Sequence, residues 1–135
     1  MIWRGCIIAL VALSACATGP GPVRSVDDPA VQRLLALPVP DYFATLSIAA
    51  DVARNCAQYR FDVELESDLN RLRNANDAGT VAAAAQRSAI TLETDVRQRS
   101  FVAKHALPAF GGDLCPAADA ELLENSPISA LLVPL

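Results

Sequence analysis

The chain has 135 residues, of which 53% are hydrophobic, 11 are basic and 15 are acidic, and its formal net charge is −4. This acidic balance argues against nucleic acid as a partner and against a polybasic grip on anionic lipid. The length corresponds to one domain.

The amino terminus has the pattern of a bacterial export signal. Arg4 precedes the apolar run Cys6 to Leu13, which would cover only about 12 Å of helix against a bilayer core of roughly 30 Å. That length suits the apolar region of a signal peptide rather than a transmembrane helix. The residues that follow, Leu13-Ser14-Ala15-Cys16, resemble the lipobox of bacterial lipoproteins.

The lipobox implies cleavage before Cys16 and attachment of lipid to its thiol, with fatty acyl chains such as palmitate; an ordinary secretory signal is the alternative. Two or more acyl chains hold a protein stably at a membrane. The residue after the cysteine is Ala17 and not an aspartate. By resemblance to the sorting of enterobacterial lipoproteins, this favours the outer membrane, with the protein facing the periplasm. We predict a signal peptide at 1–15, a lipidated anchor and flexible spacer at 16–28, and a single helical domain at 29–135. Loss of Arg4 leaves 10 basic and 15 acidic side chains, a net charge of −5.

Two thiols remain, Cys56 and Cys115, because Cys6 leaves with the signal and Cys16 carries lipid. In an oxidising envelope compartment such a pair predicts a disulfide, and a loop of about 60 residues gives roughly 4 kcal/mol of stabilisation. The alternatives are two buried free thiols, a redox pair, or a metal site with His105. The redox pair lacks a Cys-x-x-Cys motif, and the metal site lacks a fourth zinc ligand.

The first helices have clear start signals. Asp28 followed by Pro29 predicts a helix to about residue 36. We expect Pro38 and Pro40 to end it. A second helix, capped by Asp41, should extend through residue 56, because its apolar residues recur at steps of three and four.

The segment from Tyr59 to Glu66 is ambiguous. Apolar and charged residues alternate there, as in a half-buried strand, whereas Phe61, Leu65 and Leu69 also fall at helical steps. No second strand is evident, and a lone strand leaves its backbone groups unpaired. We therefore predict helix.

A turn at 74–79 should lead into one long helix over about 80–106. Its apolar face consists of Val81, Ala85, Ala89, Leu92, Val96 and Val102. A loop and a short helix from Pro116 to about Glu124 should follow. Ser126 followed by Pro127 predicts the start of a further helix.

The apolar tail that follows is too short to span a membrane. We expect it to pack on the core; the alternative is a partner-binding segment formed by Ile128, Leu131, Leu132 and Val133. Together these elements predict an all-α fold, a small bundle of three to five helices with one disulfide.

Asn55-Cys56 in an amphipathic helix, Cys115, and the closing Ser129-Ala130-Leu131-Leu132 resemble a family of small exported helical proteins of alphaproteobacteria whose function is unknown. The resemblance covers about Asp41 to Val133. It implies no activity.

The sequence offers little chemistry. His105 is the only histidine, and beside Lys104 it suits the end of a helix, where exposed carbonyls favour a cation, so we expect it at the surface. The acidic residues Asp62, Glu64, Glu66 and Asp68 would diverge by about 200° per step on a helix. No Gly-x-Ser-x-Gly element or phosphate-cradling loop occurs. We predict no catalytic residues, no cofactor and no metal.

These observations favour a non-catalytic, membrane-anchored lipoprotein of the cell envelope that binds or supports a protein partner. One alternative is a small envelope hydrolase or cell-wall enzyme using His105 with a carboxylate, which would need a pocket around that histidine. Another is a helical carrier of a small apolar ligand, which would be marked by an internal cavity.

Overall fold

The computed structural model of the protein describes residues 24–75 and 80–135. The predicted signal peptide, Cys16 and most of the predicted spacer lie outside these residues. Within them, no helix has the length and apolar character needed to cross a bilayer.

The described residues are mostly helical. The helices are α1 (Pro29–Leu35), α2 (Val39–Arg54), α3 (Val63–Ala75), α4 (Thr80–Ala85), α5 (Arg87–Lys104) and α6 (Cys115–Leu123); the strands are β1 (Tyr59–Phe61) and β2 (Leu132–Pro134), and a 3-10 turn covers Ser129–Leu131. The helical character agrees with the prediction. The six α-helices of these residues exceed the predicted three to five, and the two-stranded sheet means that the fold is not purely all-α.

Local capping explains where the first helices begin. The Asp28 carboxylate accepts a hydrogen bond from the Ala30 amide at 2.8 Å, and a proline occupies the first turn of α1, as predicted. Helix α2 begins before Asp41, because Pro40 fits its first turn. It ends before Cys56, which therefore lies just beyond the helix rather than within it.

The prediction of helix over Tyr59–Phe61 was wrong, because these residues pair with the carboxyl-terminal tail. Strands β1 and β2 are antiparallel, with Arg60 opposite Val133. The pairing is extended by a hydrogen bond from the Asp62 amide to the Leu131 carbonyl at 2.9 Å. The Asp62 carboxylate then accepts from the Leu65 amide at 3.0 Å and caps α3. The strand pattern and the helix pattern of this segment are thus both real, one after the other.

Two buried clusters form the core, and α2 contributes to both. The first joins α1, α2, α3 and the 3-10 turn, and contains Ala30, Val31, Leu34, Tyr42, Leu46, Ala49, Leu65, Leu69, Ala130 and Leu131. The second joins α2, α5, α6 and β2, and contains Ile48, Val52, Phe101, Leu114, Ala117, Ala118 and Leu132. The tail therefore closes both halves of the core.

A buried arginine ties α3 to the end of α1. Arg73 donates to the Leu35 and Leu37 carbonyls, each at 2.9 Å, and its guanidinium lies 4.1 Å from the centre of the Tyr42 ring. The carbonyls at a helix end lack partners within the helix, so this arginine satisfies groups that burial would otherwise leave unpaired.

The predicted long helix is interrupted at Gln86. Four residues of its apolar face, Ala85, Ala89, Leu92 and Val96, are exposed. Helix α5 packs against α2 with the side that carries Phe101, which fills the second cluster beside Ile48 and Val52. The opposite side faces outward, where Leu92 is 66% exposed and Val96 46% exposed.

Candidate functional site

The structure joins Cys56 and Cys115 in a disulfide, in agreement with the predicted pairing. Their Cα atoms are 4.9 Å apart, and the bond connects the chain just after α2 to the first residue of α6. Beside it, the Leu114 amide donates to the Asn55 carbonyl at 3.1 Å. The bond therefore fixes α6 to α2 and has a structural place in the fold.

The tail side chains considered for partner binding lie mostly in the interior. Leu131, Leu132 and Val133 are each at most 1% exposed, and Ile128 is half-buried against both core clusters. The structure therefore agrees with the first prediction for the tail, that it packs on the core. These residues form no exposed apolar patch, because the tail is a strand and a core element of its own domain.

A polar cluster around the buried Glu121 joins α5 to α6, and we call it the Glu121 cluster: Lys104, His105, Glu121 and Ser126. Glu121 is 2% exposed, and its Oε1 atom accepts from Lys104 Nζ at 2.8 Å. The same oxygen lies 2.7 Å from His105 Nε2. Since the His105 ring also packs on the Phe101 ring, with centroids 4.5 Å apart, this histidine is not the surface residue that was predicted.

Opposing effects set the ionisation of Glu121. Burial raises the pKa of its carboxyl, but hydrogen bonds from Lys104, Ser126 and His105 outweigh burial and hold the pKa below its usual value. Burial lowers the pKa of Lys104, and its hydrogen bonds to Glu121 and Glu124 raise the pKa above its usual value. Both groups are therefore charged at neutral pH, as a buried ion pair requires.

A cavity of about 230 Å³ lies beside this cluster, between α2, α5, α6 and the residues that precede the 3-10 turn. Its walls are formed by Thr45, Ile48, Arg97, Ser100, Phe101, Lys104, Glu121, Ser126, Pro127 and Ile128. Both of its cations are occupied: Lys104 binds Glu121 and Glu124, and Arg97 pairs with Asp41 and with Glu93. The cavity is thus mainly apolar, and both cations at its edge are paired with carboxylates, although Arg97 Nε itself makes no hydrogen bond.

The His105 side chain is not among the groups that line this cavity. Its Nε2 atom faces the Glu121 carboxylate, and the Ser126 hydroxyl accepts a hydrogen bond from the Ser129 amide at 3.3 Å. A serine nucleophile would need the imidazole as its base. The contact between His105 and Glu121 holds the end of α5 against α6. Glu121 was not predicted as a site residue, although it is the polar member of the α6 face that also contains Ala117 and Ala118.

The acidic run does not converge on a site. Asp62 is buried as the cap of α3, whereas Glu64 and Asp68 are exposed and Glu66 is half-buried. Burial raises the pKa of Glu66. Among the residues described here, no three His, Cys, Asp or Glu side chains are grouped to hold a metal ion.

Exposed apolar side chains form a row on the outer side of α5, which we call the α5 stripe: Ala89, Leu92 and Val96. All three are exposed. Their spacing of three and four residues keeps them on one face of the helix. Two charged residues border the stripe, Asp95 and Arg99, and they pair with each other at 2.5 Å.

Comparison with known proteins identifies no relatives: no family model matches the sequence, and neither a curated protein nor a solved structure matches it.

Proposed function

We propose that this protein is a non-catalytic lipoprotein of the bacterial cell envelope, anchored by lipid on Cys16, that binds a protein partner through the α5 stripe. The lipobox-like sequence Leu13 to Cys16 supports the anchor and the envelope location, with the outer membrane facing the periplasm favoured by Ala17. The resemblance to small exported alphaproteobacterial proteins fits this location.

The exposure of Leu92 and Val96 is the observation that supports a protein partner. An isolated exposed leucine needs no explanation, but Ala89, Leu92 and Val96 form a continuous strip over about two turns of α5. Amphipathic recognition between helices uses this spacing of anchors. Within residues 24–75 and 80–135 nothing covers the strip, since α5 packs on α2 with its other side.

Site-specific photocrosslinking tests this role in the cell that makes the protein. A photoreactive residue at position 92 should give a defined protein adduct. The matched control is position 123 on α6, because Leu123 is 86% exposed but stands apart from the stripe. Equal labelling from both positions, or none from position 92, would remove the stripe as a binding surface.

The cavity beside Lys104 supports a second candidate, a carrier of a small apolar ligand. Its volume of about 230 Å³ is below the range of roughly 300–1,000 Å³ that ligand sites occupy. We therefore rank it second. Thermal unfolding with and without indole tests it: a carrier gains stability, and Ile48→Phe, which fills the cavity, should abolish that gain.

The alternative of a hydrolase or cell-wall enzyme using His105 ranks third, because the imidazole is engaged by a carboxylate and stacked on Phe101. Peptidoglycan and ester substrates incubated with the protein and with His105→Ala would test it. Hydrolysis that His105→Ala loses while remaining folded would favour the enzyme.

A further inference from the structure

We infer that the cavity beside the Glu121 cluster binds a small organic ammonium ion with an aromatic body. The inference does not depend on the α5 stripe; it rests on the second candidate function and names the class of ligand that such a carrier would hold. The argument comes from the hydrogen-bonding groups of the cavity wall, from the charge at its edge and from its volume.

Two hydroxyl groups in the cavity wall present acceptors to a ligand. Thr45 is 1% exposed, and its Oγ1 atom donates its only proton to the Asp41 carbonyl at 2.7 Å. Ser100 Oγ likewise donates to the Val96 carbonyl at 3.0 Å. A hydroxyl group has one proton and two lone pairs. Both oxygens therefore keep lone pairs that can accept a hydrogen bond from a ligand, and neither has a proton left to donate.

The cationic donors of the cavity wall already have carboxylate partners. Lys104 Nζ donates to two carboxylates, at 2.8 Å and 2.5 Å, and Arg97 pairs with two others. The Nε atom of Arg97 makes no hydrogen bond, but Glu93 Oε1 lies 2.8 Å away and would repel a carboxylate brought to this nitrogen. The wall therefore favours a ligand that donates hydrogen bonds over an anion that accepts them.

The edge of the cavity carries more negative than positive charge. Arg33 lies near this edge, where it donates to the backbone carbonyls of Glu124 and Asn125. With Arg33 counted and His105 neutral, three cations stand among four carboxylates; the other cations are Arg97 and Lys104, and the carboxylates are those of Asp41, Glu93, Glu121 and Glu124. Such an edge attracts a cation and repels an anion.

The volume of the cavity sets the size of the ligand. An apolar cavity of about 150 Å³ holds benzene, which has six non-hydrogen atoms. The cavity here measures about 230 Å³, so it has room for about nine. Ile48, Phe101 and Ile128 provide apolar wall for an aromatic ring. A phenyl ring with a two-carbon chain and an ammonium group, as in protonated 2-phenylethylamine, has this size and the required donor.

Equilibrium dialysis of the full-length protein against three ligands of similar shape tests the inference, with the detergent buffer alone as the blank. The probes are 2-phenylethylamine, 2-phenylethanol and phenylacetate, which share the ring and the two-carbon chain. At pH 7 their polar groups are cationic, neutral and anionic. Because hydrogen bonds from a charged donor are stronger than neutral ones, the amine should bind about tenfold more tightly than the alcohol. Phenylacetate should bind more weakly than the alcohol.

Substitutions of the two hydroxyl residues locate the ligand in the cavity. Thr45→Val removes an acceptor at nearly constant shape and should weaken binding of 2-phenylethylamine about fivefold. Ser100→Ala removes the other acceptor at an exposed position, so it tests the same point without changing the core. The matched control is Thr91→Val, because the Thr91 hydroxyl also donates to a helix carbonyl, at 3.0 Å, but lies outside the cavity wall. This control should bind the amine as the unsubstituted protein does.

The results separate this inference from the proposals on which the function rests. Equal affinity for the amine and the alcohol would keep a carrier of apolar ligands and remove its preference for a cation, and tighter binding of phenylacetate would reverse the predicted charge selectivity. Amine binding that both Thr45→Val and Ser100→Ala leave unchanged would overturn the inference. If none of the three probes binds above the blank, the second candidate function is lost as well. Photocrosslinking from position 92 tests the protein partner separately.

Discussion

Glu121 Oε1 lies 2.7 Å from His105 Nε2, and this contact connects the end of α5 to the middle of α6. The only histidine in the sequence thus holds two helices together. Because the carboxylate is buried and its pKa is lowered, the contact contributes stability that depends on its charge.

Replacing the carboxylate should weaken this connection. Glu121→Gln removes the charge at nearly constant volume and should lower the free energy of unfolding by about 2 kcal/mol, because hydrogen bonds to a buried charged group are lost. Urea unfolding followed by circular dichroism measures the change. The control is Glu124→Gln, since Glu124 also binds Lys104 but is half exposed, and it should cost no more than about 0.5 kcal/mol. Equal losses from both variants would contradict a special role for Glu121.

The same carboxylate predicts a pH dependence. The pKa of Glu121 is lower in the folded protein than its ordinary value of 4.5, so the unfolded chain binds its proton first. Its stabilisation is therefore complete above about pH 5 and is lost as the pH falls through the folded-state pKa. The difference in free energy of unfolding between the unsubstituted protein and Glu121→Gln should shrink as the pH falls below about pH 4.5. A difference in free energy of unfolding that grows on acidification would contradict the predicted direction of this pH dependence.

The tail should prove essential to the fold. Leu132→Ala removes a side chain that is 1% exposed and should lower the free energy of unfolding by about 3 kcal/mol. Leu135→Ala, at a position 72% exposed, should change it by less than about 0.5 kcal/mol. Thermal unfolding of the two variants compares them. If Leu132→Ala were as stable as Leu135→Ala, the tail could not be the core element described here.

The turn after α5 offers a gain in stability. Ala106 adopts a positive φ of 50°, and the Leu107 amide donates to the Val102 carbonyl at 3.0 Å, which is the helix ending that glycine favours. Ala106→Gly should raise the free energy of unfolding by about 1 kcal/mol, as measured by urea unfolding. Asn125 has a φ of 49° after α6, and because Asn tolerates this conformation, Asn125→Gly should gain less. Destabilisation by Ala106→Gly would contradict this explanation.

Features that depend on neighbouring residues could be predicted from the sequence. Asp28 and Pro29 define the start of α1 by capping and by a fixed φ, and Pro116 lies in the first turn of α6. The disulfide followed from counting the thiols left after Cys6 and Cys16 were assigned other fates.

Features that depend on distant residues could not. The strand at Tyr59–Phe61 needed a partner, and that partner is a three-residue segment at the opposite end of the chain, too short to show an alternating pattern. The side of α5 that is buried is the one that carries Phe101, because this aromatic side chain fills the second core cluster. Periodicity alone gave the smaller apolar residues of the α5 stripe the same weight as Phe101.

The proposed lipid on Cys16 underlies both the proposed membrane anchor and the proposed oxidising compartment. Intact-mass spectrometry of the protein extracted from the membrane of its own cell tests it most directly. The proposed function predicts a chain that begins at Cys16, carries acyl groups, and takes up thiol-alkylating reagent at Cys56 and Cys115 only after reduction. An unacylated chain that retains residues 1–15 and is alkylated at both cysteines without reduction would contradict it.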